Sequence, residues 1–285
     1  MIRIKLFCSF APSEKCIEVF ERINYANEYS FYGKDKTYMF TMEENYTHAI
    51  IINNIMPKLN IPKENVLGLA FEPPFFLRIN ASFIQYAQKH IGRYFIGDKG
   101  NLPDPFIEHF AYMWHSRPTL EIPISSKKNI MSIIVSEKKQ TSGHQYRHKL
   151  IEQIIAQQLP IDIYGRGSHQ YKYDRIYGKF NDAEPYESYY FSVCIENMVC
   201  NHYFSEKIIT PLMYNCVPIY FGCKQIAEYV ENTIFLQGNI QADMNLIVNI
   251  LKNPDVYYKP TFTEKNKGAV NLIQHLPELF PVVVK

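Results

Sequence analysis

Twice along its 285 residues the chain alternates short apolar segments with amphipathic stretches, and that repetition leaves little choice of fold. In the first half, Ile2–Cys8, His48–Ile52, Val66–Phe71, Tyr94–Gly97 and Phe110–Trp114 read as strands, while Glu14–Ile23 and Asn80–Ile91 carry helical spacing. A polar, charged break at Glu121–Asn129 follows, with Pro118 and Pro123 before and inside it. The alternation then restarts. Ile130–Val135, Ile161–Tyr164, Phe191–Ile195 and Val217–Phe221 are strand-like, and His144–Gln157, Glu206–Tyr214 and Ile240–Leu251 are helical. Alternating strands and helices form βαβ units around a mostly parallel sheet. Two such halves predict an α/β protein of two doubly wound domains, residues 1–122 and 123–285, with a ligand cleft between them.

Composition narrows the function. The chain has 30 Lys+Arg against 28 Asp+Glu, a formal charge of +2, so no concentrated basic field points to nucleic acid or a membrane surface. No apolar run reaches the length of a membrane span, and the start MIRIKLFCSF enters a strand pattern without a signal layout, so a cytoplasmic protein is expected. The sequons at Asn45 and Asn80 then read as chance matches. Cys8, Cys16, Cys194, Cys200, Cys216 and Cys223 form no C-x-x-C pair, and no cluster has metal-site spacing, so buried reduced thiols are expected and no metal.

The densest polar cluster runs from Glu196 and Asn197, where a strand ends, through a loop to Tyr203, Ser205, Glu206 and Lys207, where a helix begins. Ligands of open α/β sheets bind at the carboxyl ends of strands beside helix N-termini. Ser205 suits an N-cap, and Lys207 falls in the first turn, where a cation opposes the helix dipole. A bound diphosphate would account for that placement; pairing with Glu206 is the plainer alternative. Arg147, near another strand-to-helix turn, offers a bidentate fork for phosphate or is an ordinary surface arginine. Glu72, in Phe71-Glu72-Pro73-Pro74, is fixed by prolines at a strand's edge, which suits a general base. Gly165-Arg166-Gly167 is half of a glycine-rich phosphate loop, or simply a turn.

The run Y-Y-F-S-V-C-I-E-N-M … Y-F-S-E-K-I-I-T-P-L … V-P-I-Y-F-G, from Tyr189 to Gly222, resembles the donor-binding signature of the α-1,3/1,4-fucosyltransferases, with Lys207 ten residues after Asn197. Flanking segments agree in order: V-S then a loop and Arg147, I-D-I-Y-G-R-G over Ile161–Gly167, and F-E-P-P over Phe71–Pro74. E-P-P stands where the family has E-S-P, and Glu137 stands where it has asparagine after V-S.

The resemblance implies two Rossmann-like domains of GT-B type, the first on the acceptor side and the second binding the donor, with the last helix able to pack back on the first. It implies an inverting transferase that uses GDP-fucose and needs no essential metal. Arg147 and Lys207 would take the diphosphate. Glu196, Asn197, Tyr203, Glu206 and Gly165 would complete the donor site, and Glu72 would deprotonate the acceptor hydroxyl. The acceptor would be a glycan, an oligosaccharide or glycoconjugate, with the fucose joined α-1,3 to a GlcNAc- or Glc-containing sugar, as in protein glycosylation and carbohydrate biosynthesis. A transferase of the same fold using another nucleotide-sugar, and a non-catalytic sugar- or nucleotide-binding homologue, are the alternatives.

Overall fold

The computed structural model describes residues 1–23, 26–113, 127–260, 266, 268 and 271–282. The chain divides into two compact units. One comprises Met1–Arg117, Cys200–Tyr203 and Lys267–Lys285; the other comprises Pro118–Val199 and Phe204–Asn266.

The first unit is built on β1 (Ile2–Cys8), β2 (Tyr38–Phe40), β3 (His48–Ile52), β4 (Val66–Leu69), β5 (Arg93–Ile96) and β6 (Phe106–Glu108), in the order β2-β1-β3-β4-β5-β6. Every pairing in this sheet is parallel. The central strands β3 and β4 are continuous apolar runs because helices cover both faces of such a sheet. Helix α1 (Ser13–Ile23) buries Cys16, Phe20 and Ile23. The single turn α2 (Pro74–Leu77) follows Glu72, and α3 (Ala81–His90) is capped by Asn80, whose side chain accepts from the Phe83 amide at 2.9 Å. Gly68 opposes Tyr94 across β4 and β5; a Cβ there would sit 2.0 Å from the ring. That space lets the Tyr94 hydroxyl donate to Asn53 O at 2.9 Å.

One expected strand is displaced. Phe110–Met113 is irregular, Trp114 lies outside the described residues, and the sheet's edge is instead β6. Phe110, Ala111 and Tyr112 are buried, but Tyr112 sits at φ 47°, which an extended strand does not permit. The segment Cys200–Tyr203 is held within this unit. The His202 amide donates to Gly97 O at 2.7 Å, and Asn201 Nδ2 donates to Glu108 Oε1 at 2.8 Å. The chain's end is tied here too, where the Tyr38 hydroxyl donates to Phe280 O at 2.9 Å.

The second unit carries β7 (Asn129–Ile134), β8 (Ile161–Tyr164), β9 (Ile176–Gly178), β10 (Tyr189–Cys200), β11 (Val217–Cys223) and β12 (Ile234–Phe235) in the order β12-β11-β10-β7-β8-β9. The β7–β8, β8–β9, β7–β10 and β11–β12 pairings are parallel. Its helices are α4 (Ser142–Ala156), α5 (Glu206–Met213), α6 (Ile226–Tyr229), α7 (Ile240–Lys252) and α8 (Pro254–Tyr257). Met131, Ile133, Phe191, Val193 and Ile219 from the strands meet Leu150, Ile154, Ile247 and Ile250 from α4 and α7 in one core. Buried Asp243 accepts from the Gln237 and Gly238 amides at 2.7 and 2.8 Å and from the Tyr146 hydroxyl, joining α7 to α4. Residues 121–126 of the expected linker lie outside the described residues. Beyond them, buried Lys127 donates to the carbonyls of Tyr186 and Tyr214 at 2.9 and 2.6 Å. Strand β10 runs on to Cys200 rather than stopping at Asn197.

Candidate functional site

The strand order of the second unit reverses between β7 and β10, and in open α/β sheets ligands sit beyond the carboxyl ends of the strands at such a point. A pocket of about 530 Å³ opens there. Ile134, Val135 and Ser136 at the end of β7, Gly165 and Arg166 after β8, and Asn197 of β10 line it, with His144 and Arg147 of α4 and Lys207 of α5. Lys138, Lys179 and Phe180 complete the wall. Five side-chain cations and no carboxylate are among these lining residues.

Arg147 is the sixth residue of α4 and only 5% exposed. Its guanidinium donates to the Ile195 carbonyl, and among the described residues no carboxylate comes within ion-pair distance. Burial weakens its hold on its proton, and the charge of Glu196 opposes that. A guanidinium carries five donors, so one backbone bond leaves the fork with capacity for an anion.

Lys207 is placed by a buried carboxylate. Glu196 on β10 is 1% exposed and accepts from the Ser205 amide at 2.8 Å and the Ser205 hydroxyl at 2.7 Å. Ser205 caps α5, accepting from the Lys207 amide at 3.4 Å. Lys207 Nζ lies 3.6 Å from Glu196, 3.0 Å from Glu206 and 3.0 Å from the Ser205 hydroxyl. Burial favours the neutral amine, but the carboxylates of Glu206 and Glu196 outweigh it and hold Lys207 as an ammonium, above its ordinary range. At Glu206, 45% exposed, burial raises the pKa, while the Lys207 charge and its hydrogen bond outweigh it and hold the carboxyl below the ordinary range. Two glycines admit this arrangement. A Cβ on Gly143 would lie 2.0 Å from the Glu196 carbonyl oxygen, and one on Gly222 would lie 2.4 Å from Glu196 Cγ.

Arg147, Asn197, Lys207 and Gly165 therefore share one pocket, with Glu206 beside Lys207. Glu196 works from beneath, its carboxylate occupied by Ser205 and Lys207. Gly165 holds φ at 100°, and a Cβ there would strike the Val135 oxygen at 2.2 Å; its amide donates to Gly178 O at 2.6 Å, and that of Gly167 to Val135 O at 3.1 Å. These glycines let two backbones meet, and their amides are already engaged. Tyr203, buried, belongs to the first unit, as does Glu72, exposed in the loop after β4.

Sequence reasoning missed His144, Lys138, Arg166, Lys179 and Phe180. His144 was within reach: it stands three residues before Arg147 in the same helix, so both share a face. Arg166 lies inside the G-R-G that drew attention only to its glycines.

Among the described residues no group of three His, Cys, Asp or Glu could hold a metal ion, and no helix is long and apolar enough to cross a membrane.

Residues 124–259 match the model of glycosyltransferase family 10 (fucosyltransferase), C-terminal part. A protein of Acanthamoeba polyphaga mimivirus that carries the name of a fucosyltransferase is 29% identical over 117 residues; the match covers 35% of this chain and 19% of that protein. A solved α1,3-fucosyltransferase shares the fold at a TM-score of 0.56, with 13% identity over 98% of this chain and 88% of its own. A structure of an α1,3-fucosyltransferase with GDP gives 0.54, with 13% identity over 96% of this chain and 89% of its own. An Anabaena protein, HepE, solved with UDP and glucose, gives 0.52, with 9% identity over 98% and 96%.

Proposed function

We propose that this chain, whose residues 124–259 match the model of glycosyltransferase family 10, transfers fucose from GDP-fucose to a hydroxyl of a glycan, with inversion at the anomeric carbon. The observation that carries the reading is the five-cation pocket at the reversal point of the second sheet. Preorganised cations of this kind stabilise charge that grows on a departing diphosphate, and are worth several kcal/mol where water is excluded. Arg147 and Lys207 take the diphosphate. Asn197, Glu206 and Tyr203 meet the ribose, guanine or fucose, and Gly165 shapes the wall.

In the reaction the acceptor oxygen forms its bond to the anomeric carbon as the bond from that carbon to the β-phosphate oxygen breaks. The bonding pair leaves with GDP, and the acceptor proton passes to the Glu72 carboxylate. The acceptor is a sugar carrying GlcNAc or Glc, and the link is α-1,3. No step requires a metal. The reaction takes place in the cytoplasm. The unit of Met1–Arg117, Cys200–Tyr203 and Lys267–Lys285 is the acceptor side, and the unit of Pro118–Val199 and Phe204–Asn266 binds the donor.

The experiment follows label from GDP-fucose onto N-acetyllactosamine-type sugars, for the wild type and for Glu72→Ala. A positioned base supplies roughly 10²–10⁴ in rate, so transfer by the variant should fall by about that factor with donor affinity intact. A variant that keeps most of its turnover would overturn the base assignment. Transfer from a UDP-sugar instead would retain the fold and replace the donor, a reading favoured only by the likeness to HepE.

A further inference from the structure

His144 lines the cationic pocket from the first turn of α4 and is 2% exposed. Its Nδ1 stands 2.8 Å from the Thr141 hydroxyl oxygen. Thr141 spends its one hydroxyl proton on the Asn197 carbonyl, 2.5 Å away. Toward His144 the same oxygen can then only accept, so Nδ1 carries the proton of the neutral ring. A second proton has one place to go, Nε2.

Charged and polar groups that act on the ring come from several elements. Arg147 lies on its own helix, Lys138 on the loop after β7, Lys207 on α5, and the Asn197 side chain on β10. Glu196 and Glu206 are engaged with Lys207. Burial, then the charges of Arg147 and Lys138, hold the His144 pKa down to about 4. A diphosphate entering among these cations would cancel their field and bring negative charge of its own, removing what keeps the ring neutral.

We propose that His144 is a further donor-binding residue, which takes up a proton from solvent when the diphosphate of a nucleotide-sugar enters the pocket. The inference rests on the nucleotide-sugar reading of this pocket and adds a coupling to it: donor binding draws in a proton, so affinity rises as pH falls. One proton limits that rise to about tenfold per pH unit.

The test is calorimetric titration of the full chain with GDP-fucose at pH 5.5, 6.5 and 7.5, each in two buffers of different ionisation heat. GDP-fucose is the right probe because its diphosphate, esterified at both ends, does not itself titrate in this range. The wild type should show net proton uptake and bind several-fold tighter at pH 5.5 than at 7.5. His144→Gln should bind with little pH dependence and no buffer-dependent heat. If that variant does not fold, NMR of the wild-type imidazole decides, since the His144 titration should move upward when GDP-fucose is added. Binding without proton uptake, a pH dependence that His144→Gln retains, or an imidazole titration that does not move would overturn the inference and leave the donor site standing. No binding of GDP-fucose at any pH would overturn the donor reading and the inference together.

Discussion

The two units share a design and differ in what they leave open. Both wind helices around six-stranded sheets, but the second follows the order 3-2-1-4-5-6 when its strands are numbered along the chain, and the first follows 2-1-3-4-5-6. At the first unit's reversal point, between β1 and β3, Asn53 follows the carboxyl end of β3. It adopts φ 61°, accepts from the Phe71 amide at 2.9 Å and donates to the Ser9 hydroxyl at 3.3 Å. A pocket of about 460 Å³ in that unit has Glu14, Glu18, Glu21 and Glu43 in its lining, beside Ile17, Phe40, Thr41 and Met42. The second unit leaves its reversal point open and lines it with cations. Fold alone makes a crevice available; the residues at the strand ends decide whether it attracts an anion.

That contrast can be broken or sharpened by substitution. The largest effect is expected at Glu196→Ala, which strips the partner from the Ser205 amide and hydroxyl and from Lys207. Removing one member of a buried charged network costs about 3 kcal/mol, so chemical denaturation should show a loss of that size, with GDP affinity falling as well. Lys207→Ala should leave the fold intact and weaken GDP binding roughly 10- to 100-fold, the weight of one charged hydrogen bond, as read by calorimetry. Unchanged affinity would remove Lys207 from the phosphate site.

Acid should act through His144. Its folded pKa of about 4 lies below the ordinary 6.5, so between those values the unfolded chain binds the proton first and stability falls as pH falls. His148, also held below its ordinary range by burial, acts in the same direction. Thermal melts from pH 7 to pH 4.5 without ligand should register a loss on the order of 1–3 kcal/mol. A flat profile would contradict the buried neutral ring. The smallest effect belongs to the first unit: Glu14→Gln and Glu43→Gln should each leave GDP affinity within about twofold, since neither residue lines the cationic pocket and an exposed charge contributes little through water. A substantial gain or loss would show that its acidic pocket takes part in donor binding.

Much of the scaffold was legible in the sequence. The strands Ile2–Cys8, His48–Ile52 and Ile161–Tyr164 were bounded as found: the last two are largely apolar segments of the kind that mark buried parallel strands, and the first alternates apolar residues with Arg3 and Lys5. The edge strand β6 was not, because three residues carry no period, while the buried irregular stretch Phe110–Tyr112 mimics one. At the site, Lys207 lies in the first turn of α5, where the βαβ pattern already directs attention, whereas Asn197 lies within β10 and Arg147 in the second turn of α4. The role of Glu196 could not be read, since a carboxylate facing a ligand and one tying down a cap have the same sequence. The position of His144 was within reach, but its electrostatic environment was hidden for a related reason. Its environment comes from α5 and the loop after β7 as well as its own helix, and those meet only in the fold.

The central claim is that the open strand ends of the second unit form a GDP-sugar site. Calorimetric titration of the purified chain with GDP, GDP-fucose, GDP-mannose, UDP and CMP tests it most directly. The account predicts saturable binding of GDP and GDP-fucose, weakened roughly 10- to 100-fold by Lys207→Ala, with UDP and CMP much weaker. Tighter binding of UDP than of GDP, or GDP binding that Lys207→Ala leaves untouched, would contradict it.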